Sequence, residues 1–144
     1  MLEVNFYDEV TDDLLKFAVI ISKTNGKWVF CKHKERDTYE VPGGHREAGE
    51  TIDDTAKREL MEETGAVEFD IKPVCVYSVK GKTRVNESEE ESYGMLFVAE
   101  ISSFEELHSE IEKILITDSL VEDWTYPLIQ PRLIEEAKSR GFLL

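Results

Sequence analysis

The chain has 144 residues, 41% hydrophobic and 33% charged, with 31 acidic side chains against 17 basic ones and a formal charge of −14. That length suits a single domain able to bury its own core and leaves no room for a second. The charge argues against unspecific binding to nucleic acid or anionic membranes, because such binding relies on Lys and Arg neutralising phosphate.

The amino terminus, Met1-Leu2-Glu3-Val4-Asn5, lacks the basic and apolar regions of a signal peptide, and no apolar run approaches membrane-spanning length. A cytoplasmic protein is expected. Cys31 and Cys75 lie in apolar runs without CxxC spacing, which reads as two reduced core thiols rather than a disulfide or a zinc site.

In chain order, Leu15 to Ser22 is a short apolar, β-branched run, Asn25-Gly26 is a hairpin signal, and Lys27 to Lys32 reads as the returning antiparallel strand. A helix follows: Thr51 and Asp54 resemble a capping box, Ile52, Ala56, Leu60 and Thr64 form one narrow inward stripe, and Gly65 supplies the stop. Ile71 to Lys80 and Ser92 to Ile101 read as two more strands, joined by a polar segment from Gly81 to Glu91. Glu112 to Thr117 is a short strand. The last element is a helix from about Pro131 through Arg140, burying Leu133, Ile134 and Ala137 and ended by Gly141. Strands interleaved with two helices predict a layered α/β domain.

The first helix carries the chemistry. Glu59, Glu62 and Glu63 crowd its last turn beside Arg58, on a face apart from the apolar stripe. Like charges at these spacings repel by roughly 0.2–0.5 kcal/mol per pair, and they also meet the negative end of the helix dipole. A divalent cation reverses both penalties. Mg2+ and Mn2+ favour carboxylate and carbonyl oxygens, and Mg2+ commonly bridges a few carboxylates to a substrate phosphate. The competing interpretation is a solvated acidic face.

Spacing decides between them. Gly44, Glu50 and the run Arg58-Glu59-Leu60-Met61-Glu62-Glu63-Thr64-Gly65-Ala66 resemble the Nudix box, G-x5-E-x7-R-E-U-x-E-E-x-G-U, at all seven invariant positions. Val41-Pro42-Gly43-Gly44 is similar to the family's approach to the box, and Ala66 departs mildly from its bulkier aliphatic residue. The resemblance covers residues 39 to 66 in detail and implies an α/β/α sandwich around a mixed β-sheet.

It also implies a Mg2+-dependent hydrolase, with Mn2+ as substitute, that cleaves the diphosphate linkage of a nucleoside diphosphate derivative by water attack at phosphorus. Ions of this kind stabilise charge on phosphoryl oxygens while a carboxylate removes the water proton. Transferred by position, Glu59 and Glu63 are metal ligands, Glu62 is a further ligand or the base, and Gly44 offers its carbonyl oxygen. Glu50 and Arg58 take supporting places, Arg58 fixing the box carboxylates. One more Glu from a later loop is expected, with Glu105 first and Glu106 and Glu110 next.

Substrate contacts are sought at Lys32, His33 and Lys34, at Tyr39 and Glu40 before the Pro-Gly-Gly turn, and at Gln130 before the last helix. Trp28, Phe30, Tyr77, Phe97 and Trp124 are read as core before base-stacking groups. Lys80, Lys82 and Arg84 either meet phosphate or balance the acidic run from Glu87 to Glu91, itself read as a solvated loop. The compact chain favours nucleoside triphosphates or small dinucleotides as small-molecule partners, disfavours polymeric nucleic acid, and leaves a homodimer open. A binding module without turnover is the alternative, although such modules usually lose box carboxylates.

Overall fold

The computed structural model describes residues 2–81, 90–107 and 111–143. Seven strands form one mixed sheet: β1 (Glu3–Tyr7), β2 (Leu15–Thr24), β3 (Lys27–His33), β4 (Gly43–His45), β5 (Ala66–Lys80), β6 (Glu91–Phe104) and β7 (Ile111–Thr117). Their order is β1-β5-β6-β2-β3-β7, with β4 also paired to β2. Only β2 and β6 run parallel among these pairings.

Period-two alternation explains why both faces of this sheet are covered. Ile20, Val29, Val76 and Phe97 point to one side, where α1 (Ile52–Thr64) adds Ile52, Ala56 and Leu60. Their neighbours Ile21, Phe30, Tyr77 and Leu96 point to the other, where α2 (Gln130–Ser139) adds Leu133, Ile134 and Ala137. The result is the expected α/β/α sandwich.

Local signals account for the boundaries. Asn25 and Gly26 both have positive φ, as a two-residue hairpin turn between β2 and β3 requires. The Thr51–Asp54 capping box is complete, and Gly65 ends α1 in the left-handed conformation at φ 78°. Pro131 occupies the first turn of α2, where its missing N–H costs nothing. Cys31 and Cys75 are buried free thiols.

Three features differ from the sequence expectation. β5 starts at Ala66, directly after the helix, and a register shift between Pro73 and Cys75 absorbs the residue that cannot donate to the ladder. β1 is not legible in the sequence, because five residues at a sheet edge carry little pattern. β4 reads only as a turn in the sequence, since two glycines have poor strand propensity; pairing to Ala18 and Val19 overrides that propensity.

Candidate active site

Helix α1 lies across β2 and β4, and its inward-turned residues fix the site. The four residues of the apolar stripe are buried, and Glu63 is buried with them. The carboxylate face is thereby divided: the Glu59 and Glu63 side chains are 12% and 8% exposed, while Glu62 is 52% exposed. Residues four apart stack on one side of a helix, and Glu62 lies about a quarter turn away.

The two glycines of β4 receive the inward pair. A Cβ on Gly44 would sit 2.4–2.6 Å from the carboxylate atoms of Glu59, so only glycine leaves room for that group. Gly43 N–H donates to Glu63 Oε1 at 2.8 Å. The other Glu63 oxygen is 3.2 Å from His33 Nε2, which lies 3.7 Å from Glu40 Oε2. Arg36 completes this chain by donating to Glu40 Oε1 at 2.8 Å.

Arg58 organises the exposed side. Its Nε and Nη2 donate to the two oxygens of Glu50 at 2.6 and 3.0 Å, and Nη2 also donates to the His45 carbonyl at 3.0 Å. Nη1 donates to Glu59 at 2.6 Å and to Glu62 at 3.4 Å. Glu50 further accepts from Thr55 Oγ1 and from the Glu47 amide. These bonds, that from Arg58 first, hold the Glu50 carboxyl down to about 2 and push the Arg58 guanidinium up.

Glu59 behaves oppositely. Burial, then the charge of Glu63, pushes its carboxyl up to about 7 in spite of Arg58. Burial likewise raises Glu40. His33 is raised chiefly by its hydrogen bond to Glu63.

Such a donor set fits a hard divalent cation: oxygen ligands only, an inward carboxylate short of compensating charge, and a glycine beneath it that keeps the space open. Among the described residues no three acidic, His or Cys groups stand close enough to enclose an ion as placed. Arg58 draws Glu59 one way, while Gly43 and His33 hold Glu63 another.

A cleft of about 90 Å³ opens on the α2 side of the sheet against the same two glycines. Phe17, Tyr77, Tyr126, Ile129 and Leu133 supply apolar walls, with Glu40 and Gln130 as polar lining. Few polar groups in an apolar hollow is the usual make-up of a small-molecule site.

The remaining candidates fall in varied places. Gln130 is buried at the start of α2, where its Oε1 accepts the Val41 amide at 2.9 Å. Tyr39 is held by backbone bonds to Asp123 and Thr125. Lys32 pairs with Lys113 in the β3–β7 ladder, and Lys34 follows that strand. Glu105 and Glu106 are exposed, the Glu105 amide donating to the Gly65 carbonyl at 2.7 Å. Glu110, Lys82, Arg84 and 87–89 lie outside the described residues. Glu91 is no loop residue: it opens β6 and accepts from Tyr7, Ser78 and Tyr93.

Of the five aromatics, Trp28, Phe30, Tyr77 and Phe97 are buried, and Trp124 packs edge-on against Phe30. Tyr77 alone among them lines the cleft. Phe17, His45 and Tyr126 line it too without a signal in the sequence: Phe17 stands within an apolar strand run, and nothing nearby marks Tyr126.

The sequence profile of the NUDIX domain matches residues 14–138. The chain belongs to this family. Within the family it is 37% identical over 84 residues to the Bacillus subtilis (strain 168) protein named "Putative 8-oxo-dGTP diphosphatase YtkD", a match covering 58% of this chain and about half, 52%, of that protein. The crystal structure of a mutant of the Bacillus subtilis pyrophosphohydrolase BsRppH superimposes with a TM-score of 0.79 at 25% identity, over 99% of this chain and 93% of that one. The NUDIX domain of Shewanella oneidensis NrtR, solved with ADP ribose, shares the fold at a TM-score of 0.64 and 17% identity, over 88% and 87% of the two chains. No helix among the described residues is long and apolar enough to cross a membrane.

Proposed function

We propose that this chain is a Mg2+-dependent pyrophosphohydrolase, with Mn2+ as substitute, that cleaves the diphosphate linkage of a nucleoside triphosphate or modified nucleotide. The observation that carries this is the pair Gly43-Gly44, which meets the inward carboxylates of α1 and also borders an aromatic-walled cleft. A phosphate chain held at the carboxylates and a base held in the cleft fit one nucleotide.

When bound, the cation supplies charge neutralisation at the phosphoryl oxygens and acidifies water. Glu59 and Glu63 would hold it, with the Gly44 carbonyl as a further ligand, Glu62 as a further ligand or the base, and Glu105 as the outlying candidate. Glu62, the exposed carboxylate, accepts the water proton, Glu59 being the other candidate base. Arg58 and Glu50 keep these groups in place through the two-pronged bond between them. Glu40 and Gln130, which line the cleft, border the base, with Tyr39, His33 and Lys32 as outlying contacts beside Glu40 and at the end of β3. The buried free thiols suit the reducing cytoplasm, where we place the protein.

The name of the Bacillus relative makes oxidised purine triphosphates the first substrates to try. Purified protein is incubated with Mg2+ or Mn2+ and a panel of nucleoside triphosphates, oxidised purine triphosphates, ADP-ribose and dinucleoside polyphosphates, and products are separated by chromatography. Metal-dependent release of a nucleoside monophosphate supports the proposal. Binding without turnover across the panel replaces it with a nucleotide sensor.

A further inference from the structure

Gly94 sits in the interior of β6 with Phe17 of β2 beside it on one flank and Tyr77 of β5 on the other. Glycine weakens a strand interior, and its φ here is not positive, so no turn or left-handed backbone demands it. Space does. A Cβ at this position would lie 2.1 and 2.2 Å from two ring carbons of Phe17 and 2.8 Å from the Phe17 carbonyl oxygen. The aromatic ring therefore rests on bare backbone, a known compensation for a glycine in a sheet.

Two further details aim that ring. The β2–β6 ladder shifts register between Leu15 and Phe17, and such irregularities redirect the side chain that follows. Phe17 then leans on Tyr77 at 5.4 Å between ring centroids and meets His45 edge-on at 6.3 Å. All three side chains line the cleft beside Gly43 and Gly44.

We propose that Gly94 is a positioning residue for nucleobase binding: its missing side chain lets Phe17 lie flat on the sheet, and this sets the depth of the cleft. The inference rests on the nucleotide reading above and deepens it. A methyl group at Gly94 lifts the ring away from β6, and the open direction is the cleft. A bicyclic purine reaches further in than a pyrimidine and loses more when the floor rises.

The test measures binding of GMP and CMP by calorimetry in Mg2+, alongside KM and kcat for whichever nucleotide is turned over. Gly94→Ala should weaken GMP binding about tenfold, the scale of one lost base–aromatic stack, with a smaller effect on CMP. KM should rise by a similar factor while kcat changes less than twofold. Phe17→Leu should weaken GMP as well, and adding Gly94→Ala to Phe17→Ala should cost much less than it costs in the wild type, because Phe17→Ala leaves no ring to displace. Unchanged GMP binding in Gly94→Ala, or effects that multiply in the double variant, overturns the inference. If Gly94→Ala fails to fold, Phe17→Leu decides, and unaltered GMP binding in that variant overturns it. Wild-type protein that binds GMP with this dependence but hydrolyses nothing sinks the hydrolase reading alone, whereas hydrolysis with no binding of GMP sinks this inference alone.

Discussion

Gly44 lies so close under Glu59 that a single methyl group on it would enter the carboxylate. The backbone of Gly44 itself is ordinary, since its φ is not among the positive values. Ala is therefore tolerated by the chain but not by Glu59, whose side chain swings away at small cost. Gly44→Ala should leave stability within about 1 kcal/mol of wild type, as mutations without core strain usually do, while lowering Mg2+ affinity and turnover together. Thermal melts and a Mg2+ titration of activity check this. A large loss of Tm with normal metal dependence would contradict it.

Glu63 is anchored at both oxygens, by the Gly43 amide and by His33. Gln keeps the oxygen that Gly43 needs and removes the charge that a cation needs. Glu63→Gln should therefore stay folded yet lose turnover by at least about 100-fold, above the range seen when groups that merely orient ligands are changed. Because Glu63 is a cause of the raised Glu59 carboxyl, the variant should also titrate Glu59 lower. Carboxyl NMR in wild type and variant reads that shift, and turnover within tenfold of wild type would remove the metal-site assignment.

The pH dependence of stability follows from carboxyls shifted in opposite senses, Glu59 and Glu40 upward and Glu50 downward. Glu59 is raised from 4.5 to about 7, so the folded state holds a proton that the unfolded chain releases earlier. Metal-free protein therefore loses stability as pH rises from 4.5 through 7. Glu50 is lowered to about 2, and its contribution, present above 4.5, disappears as pH falls toward 2. Mg2+ binds the ionised form, so the Tm increase it gives should be small at pH 5 and grow toward pH 8, each kcal/mol counting for roughly 2–8 °C. Melting curves with Mg2+ and with a chelator across this range test it; a Mg2+ effect independent of pH would not fit.

Most of α1 was legible because its signals are local. The capping box, the apolar stripe and Gly65 each act within a few residues, and all three hold. The strand pair around Asn25-Gly26 and the closing helix were legible for the same reason. What the sequence concealed is non-local. Only the cross-sheet pairing of Gly43 and Gly44 to β2 turns a glycine pair into a strand. Helical spacing places Glu59, Glu62 and Glu63 on one face, yet packing turns two inward and leaves Glu62 outside. His33 was proposed from its strand end, but its pairing to Glu63 needed β3 and α1 to be seen together. Phe17 and Tyr126 come from opposite ends of the chain to the same cleft, and no spacing rule links them.

Arg58 offers the sharpest test of whether the exposed half of the site is organised or merely charged. Its guanidinium spans both oxygens of Glu50, one oxygen of Glu59 and the His45 carbonyl. Lys keeps the charge but has no planar fork, so it cannot grip both Glu50 oxygens side by side while also reaching Glu59 and the His45 carbonyl. If Arg58 acts by fixing the carboxylates, Arg58→Lys should lower kcat about 10–100-fold, the usual cost of losing a group that orients metal ligands. Glu50→Gln should resemble it, because the amide accepts only at one end of the fork. Substrate KM should move much less than kcat in both, since neither residue lines the cleft. Were simple charge balance the role, Arg58→Lys would be nearly silent and Glu50→Gln would differ from it. Steady-state kinetics on the two variants at saturating Mg2+ separates these outcomes.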